Sequence, residues 1–177
     1  MLVLYVSFYH LRAEASHLSI LETVFWDSLD GSSFKKVLVI YNFFTKDVKN
    51  KKLEEFISTE LFSNKQFNSK DIVESNNFTL INIWSSWCIP CRSEHGKLMN
   101  LSKKTDLNIV GLNYKDKKIN AIKFLNELGN AFSKNLIDPD GIISISLGAY
   151  GVPESFLLNN KSRIICLLYT SPSPRDS

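Results

Sequence analysis

The chain has 177 residues, 44% hydrophobic and 22% charged, which suits one globular domain with a leader or tail and excludes a wholly disordered or fibrous chain. The net charge is only +3, and the densest basic cluster, Lys49, Lys51 and Lys52, is followed at once by Glu54 and Glu55, so nothing here argues for nucleic acid as a partner. Three cysteines are too few for a disulfide framework, and two of them, Cys88 and Cys91, stand three apart, which points to chemistry rather than stapling.

Residues 1–50 read as a leader of uncertain nature, with apolar patches but no repeat and no clean periodicity. The stretch 2–11 is apolar apart from Ser7 and His10 and is then broken by Arg12 and Glu14; 37–44 is shorter and reads as a buried strand. Both fall short of the roughly 20 apolar residues of a membrane span, and neither follows the basic region of a signal peptide.

Residues 51–165 alternate strand-like and helix-like stretches, as an α/β domain does. The nearly continuous apolar run 78–84 predicts a strand buried on both faces, and the cysteine motif follows it directly. A helix is expected over 93–104, with Leu98, Met99 and Leu101 inward, and a second buried strand over 107–114. Ala121, Ile122, Leu125 and Leu128 have helical spacing over 118–128, and Gly129 is a natural stop. Asp138-Pro139-Asp140-Gly141 is a turn by composition, and residues 155–158, Asn159-Asn160 and 162–167 form a hairpin pattern. Strand, helix, strand, helix and hairpin in that order predict one mixed sheet flanked by helices. The end, residues 166–177, resembles the translation of a transposase adapter used in shotgun sequencing; the alternative is a Ser/Pro-rich disordered tail. On the adapter reading Cys166 is not a natural residue, and the domain is truncated at its C-terminal end, before a closing helix.

Two cysteines three apart at a strand-to-helix junction lie on one face of the first helical turn, within disulfide reach of one another. A thiolate at a helix N-terminus meets unpaired N–H groups and the positive end of the dipole. Cys88, nearest that end, is therefore the expected attacking thiol; Cys91, one turn in and expected to be deeper, resolves the mixed disulfide. Pro90 sits early in the helix, where a missing N–H costs nothing. Trp87 is either a flat apolar surface beside the sulfur or core packing. The competing reading is a zinc half-site, for which the only nearby extra ligand is His95; it is weak, because structural zinc takes four ligands, and His95 reads better as an exposed helix residue. No metal and no cofactor beyond a redox-active Cys88–Cys91 disulfide is expected.

The run Trp84-Ser85-Ser86-Trp87-Cys88-Ile89-Pro90-Cys91-Arg92-Ser93-Glu94-His95 resembles the active-site region of the DsbE/CcmG family, the thiol:disulfide interchange proteins of cytochrome c maturation. The resemblance covers about residues 53–165 and extends through Gly111-Leu112-Asn113-Tyr114-Lys115-Asp116, Leu125-Asn126-Glu127-Leu128-Gly129-Asn130, Asp138-Pro139-Asp140-Gly141 and Leu147-Gly148-Ala149-Tyr150-Gly151-Val152-Pro153-Glu154-Ser155-Phe156. It implies a thioredoxin-like fold and a reductant of apocytochrome c cysteines or of their thiol carrier. It also implies electrons from a membrane thiol reductase and a periplasmic domain anchored to the inner membrane, although no clear anchor is visible in these residues. It implies a cis Val152-Pro153 bond, with Pro153 shaping the turn opposite Cys88 so that an extended substrate can pair with the backbone; the plain alternative is a strand-start proline. Glu94 and Glu154 are expected either to disfavour the thiolate and bias the pair towards reduction, or to be ordinary solvated charges. Asn113 and Tyr114 are expected to border the same groove. Two other functions remain open at this point: a general thioredoxin-like reductase of exported proteins, and a non-catalytic metal-binding or redox-dead module on the same fold.

Overall fold

The computed structural model describes residues 50–73 and 78–169. The expectations for the leader up to residue 49, including the strand over 37–44, and for residues 170–177 lie outside the described residues.

Seven strands form one sheet in the order β2-β1-β5-β4-β3-β6-β7. At its centre is β3 (Thr79–Trp84), buried at every position because its residues are apolar on both faces and the sheet is covered on both sides. It pairs in parallel with β4 (Asn108–Tyr114), which pairs in parallel with β5 (Lys134–Asp138). On its other side β3 runs antiparallel to β6 (Glu154–Leu158), and β6 to β7 (Ile164–Tyr169). The hairpin β1 (Ile57–Glu60) and β2 (Gln66–Asn68) extends the β5 edge. Two buried amides inside these strands are partnered: Asn82 Nδ2 donates to Ser155 Oγ across β3 and β6 at 2.9 Å, and Asn108 Nδ2 donates to the Ile72 carbonyl at 2.8 Å.

Side chains alternate across the sheet, so the core divides into two clusters. One holds Leu80, Trp84, Phe124, Leu125 and Phe132 together with Cys88 and Cys91, beneath α1 (Ile89–Lys104) and α2 (Lys118–Leu128). The other holds Ile81, Ile83, Leu112, Phe156 and Leu158, with Leu147 from the short α3 (Ile142–Leu147). Gly111 lies where β4 passes under Trp84 and Phe132: a Cβ there would come within 2.7 Å of the Phe132 ring and 2.9 Å of Trp84 Nε1.

The mixed sheet flanked by helices is as expected, and α2 has the predicted bounds, ended by Gly129 at φ +89°. Three features differ. α1 begins at Ile89 rather than residue 93, with Pro90 in its first turn, and its deepest residues are Cys91, Glu94 and His95; Leu98, Met99 and Leu101 pack half-buried around the margin. β1, β2, β5 and α3 were not anticipated. The packed unit also runs past residue 165, because β7 continues to Tyr169 in register with β6 and buries Cys166, Leu167 and Leu168.

Candidate active site

β3 ends at Trp84, and the chain turns through Ser85-Ser86-Trp87 into α1. Cys88 is the N-cap: its backbone is extended (φ −84°, ψ 108°), and its Sγ accepts the Cys91 N–H at 3.1 Å, so a sulfur does the work that a serine or aspartate oxygen does in most helices. Cys88 N–H donates to the Ser85 carbonyl and Arg92 N–H to that of Cys88, which closes the turn on both sides. Cys88 and Cys91 form a disulfide with Cα atoms 5.2 Å apart. They are equally covered, at 4% and 3% exposure, so the expected greater depth of Cys91 is absent; with its sulfur turned under the helix end, Cys88 is as enclosed as its partner.

The residues either side of Cys88 are the exposed ones, Trp87 at 57% and Ile89 at 80%. Trp87 is therefore a rim residue rather than core packing, and its indole N–H donates to the Lys115 carbonyl at 3.1 Å. The Val152-Pro153 bond is cis, and Pro153 is buried. Since Glu154 is in register with Ile83, the proline stands at the same end of the sheet as the turn that carries Cys88.

Both acids are buried, so neither is an ordinary solvated charge. Glu94 shares α1's inner face with Cys91, one turn earlier. Glu154 shares a face with Ile83 and Phe156, away from the cysteine cluster. Its Oε1 accepts the N–H groups of Tyr150 and Gly151, both at 3.0 Å, while Oε2 has no hydrogen-bond partner among the described residues. Burial pushes its carboxyl up to about 7, against the pull of those two N–H groups. The two acids are thus brought to the same end of the fold but not to one pocket.

Asn113 is buried and donates through Nδ2 to Asp116 at 3.1 Å, which links it to the carboxylate that bonds the cysteine turn. Tyr114 departs from expectation. It packs half-buried in the opposite cluster, against Gly141, where a Cβ would meet its ring at 2.5 Å; alternation at the end of β4 turns it away from the groove.

His95 is not exposed but 3% accessible. Nε2 bonds the Gly129 carbonyl at 2.9 Å, and Phe124 and Phe132 meet the ring edge-on. Burial lowers its pKa, opposed by that hydrogen bond, so it is a neutral tether between α1 and the end of α2 rather than a ligand beside Cys91. Among the described residues no group of three or more His, Cys, Asp or Glu could hold a metal ion. Sequence reasoning also passed over Asp116, whose carboxylate grips the turn before Cys88; the signal lies in its position three after Asn113, in the same Asn-Tyr-Lys-Asp motif.

The Redoxin family model matches residues 48–175. The thiol:disulfide interchange protein CycY of Rhizobium leguminosarum bv. viciae is 46% identical over 95 residues, 54% of this chain and 51% of that protein. The thiol:disulfide interchange protein DsbE of Escherichia coli (strain K12) is 41% identical over 99 residues, 56% of this chain and 53% of that one. The chain thus spans about half the length of the curated relatives it matches. Among solved structures, a secreted Mycobacterium tuberculosis disulfide oxidoreductase homologous to E. coli DsbE superposes with a TM-score of 0.58 at 18% identity, over 67% of this chain and 85% of that one. A secreted thiol-disulfide isomerase from Corynebacterium glutamicum gives 0.59 at 23% identity, over 70% and 79%. At these identities the two structures bear on the fold alone.

Proposed function

The chain belongs to the Redoxin family, and from that premise we propose that it is a thiol–disulfide oxidoreductase working as a reductant through Cys88 and Cys91. The observation that carries this is the cysteine pair itself, joined at a strand-to-helix junction with the cis Val152-Pro153 bond at the same end of the sheet. In the dithiol form the Cys88 thiolate attacks a substrate disulfide, forming a mixed disulfide and releasing one substrate thiolate, which takes a proton. The Cys91 thiolate then attacks Cys88 Sγ and expels the second substrate thiolate. The substrate gains two electrons and two protons, and the protein is left as the Cys88–Cys91 disulfide. Cys91 is already held one turn away, so the second step is intramolecular and fast. No group beyond this disulfide takes part.

The resemblance to the cytochrome c maturation proteins supports a finer reading. The substrate is apocytochrome c or its thiol carrier, the electrons come from a membrane thiol reductase, and the domain works in the periplasm, tethered to the inner membrane. Among the described residues no helix is long and apolar enough to cross a membrane.

The test is the reduction potential of the pair against a glutathione or dithiothreitol series, with the buried Cys166 replaced by Ala. A value of about −200 mV or lower supports a reductant; one near about −120 mV, where disulfide donors lie, overturns it. Exchange with an oxidised Cys-x-x-Cys-His peptide, compared with an unrelated disulfide peptide, separates the cytochrome substrate from exported proteins in general.

A further inference from the structure

The loop after β4 makes a set of contacts that the cysteine chemistry above does not use. Asp116 is half-buried, and its carboxylate accepts four hydrogen bonds. Oδ2 takes the Ser86 N–H at 2.6 Å and the Asn113 side-chain amide at 3.1 Å. Oδ1 takes the Ser86 hydroxyl and the Lys117 N–H, both at 2.8 Å. Beside it the Trp87 indole N–H is fixed to the Lys115 carbonyl. Lys115, at φ +44°, in turn donates its N–H to the Asp138 carbonyl at the end of β5.

At Ser86 and Trp87, just before Cys88, the chain is thus clasped at three points by the three-residue loop 115–117. The clasp is charge-assisted at Ser86 and fixed to the parallel strands β4 and β5. The turn at residues 85–88 has one internal bond, from Cys88 N–H to the Ser85 carbonyl at 3.3 Å, so the placement of Ser86 and Trp87 within it depends on the outside contacts. It carries Cys88 Sγ to the point where the Cys91 N–H can bond it. A turn free to shift would move that sulfur off the helix end, and N–H stabilisation of the thiolate would go with it.

We propose that Asp116 is a positioning residue for the thiol exchange: by holding Ser86 and, through the Lys115 carbonyl, Trp87, it fixes the Cys88 sulfur at the N-terminus of α1 in both redox states. Asn113 orients the carboxylate from below. This assignment rests on the oxidoreductase reading above. Asp116 touches no reacting atom.

The test uses the full chain with Cys166→Ala, alone and combined with Asp116→Ala or Asp116→Asn. Two quantities are measured: the titration of Cys88 by thiolate absorbance, and the second-order rate of exchange with a disulfide peptide. Asp116→Ala is expected to slow exchange about tenfold or more, with the Cys88 titration moved up towards the free-thiol value of about 8.5. Asp116→Asn keeps one acceptor oxygen for the Ser86 N–H and is expected to fall between the two; it decides the matter if the alanine variant does not fold. A nearby carboxylate acting only as a charge has the opposite signature, because its removal favours the thiolate and moves the titration down. Folded variants that exchange at the wild-type rate, or whose titration moves down or not at all, overturn the positioning role even if they are less stable. A parent chain whose Cys88–Cys91 pair does not cycle between dithiol and disulfide overturns the oxidoreductase reading instead.

Discussion

Glu94 stands where an acid is least expected, on the inner face of α1 one turn beyond Cys91 and 9% exposed. A carboxylate held there faces low-dielectric surroundings, in which its repulsion of a thiolate is screened far less than at a surface. The oxidised pair carries no charge and does not feel that repulsion; the reduced pair does as soon as it ionises. An ionised Glu94 is therefore expected to raise the free energy of the reduced form relative to the disulfide and to lower the reduction potential. Glu94→Gln keeps the shape and removes the charge, so the potential should become less negative by roughly 30 mV, the equivalent of one tenfold step in the exchange equilibrium. An equilibrium titration against glutathione reads this directly. An unchanged potential in a folded variant would sink the idea, and a more negative one would mean that Glu94 stabilises the thiolate. Glu154 acts separately, since its side chain lies on the Ile83 face of the sheet.

At the scale of elements, the site depends on how closely the central strands approach what covers them. β4 passes beneath Trp84 and Phe132, whose rings stack 5.7 Å apart between centroids, and it can do so only because residue 111 has no side chain. Gly111→Ala would force a Cβ against buried ring atoms that have nowhere to go, at a cost of about 1–3 kcal/mol. Chemical denaturation should show that loss with an unchanged m-value; a neutral outcome would mean that the Phe132 side of the cluster repacks freely. These elements were unequally legible in the sequence. β3, β4 and α2 announce themselves because their apolar residues run continuously or recur with helical spacing. β5 and α3 do not: Lys134–Asp138 has a charged residue at each end, and Ile142–Leu147 is too short for a helical period to show. The disulfide was legible from two cysteines three apart at a strand-to-helix junction, whereas the cis proline followed only from the family resemblance. The burial of Glu94 and His95 was not legible, since a charged or polar helix residue reads as a solvent face; for His95 it is the rings of Phe124 and Phe132 that enclose it. Asp116 was hidden for a related reason: its partner Ser86 lies 30 residues away, a contact that only the parallel pairing of β3 with β4 creates.

For the whole molecule, the buried acid at the start of β6 should leave a mark on stability. The carboxyl of Glu154 is raised from its ordinary 4.5 to about 7, by burial first, with the Tyr150 and Gly151 N–H groups opposing. Between those values the unfolded chain has lost this proton while the folded protein keeps it, so stability falls as pH rises through the window and is flat for this group outside it. Below pH 4.5 both states are protonated and there is no penalty; above about 7 both are ionised, and the folded state carries a buried carboxylate with one oxygen unpartnered among the described residues. The full difference is about 3 kcal/mol. His95 works the other way, because its pKa is lowered by burial: its neutral ring favours the folded state above its unfolded value of 6.5, and that contribution is lost as pH falls through the lowered folded value. The wild-type profile thus mixes two opposed slopes, and a single curve would not separate them. Glu154→Gln isolates the acid. Its Oε1 can still accept both backbone N–H groups, while its neutral amide mimics the protonated acid at every pH. In oxidised protein unfolded by urea, the stability of Glu154→Gln relative to wild type should climb by up to about 3 kcal/mol between pH 4.5 and pH 8, with the His95 contribution cancelling in the difference. A difference that stays constant across that range would show that Glu154 titrates alike in the folded and unfolded chains. Its cover at the head of β6 would then admit enough water to solvate the charge.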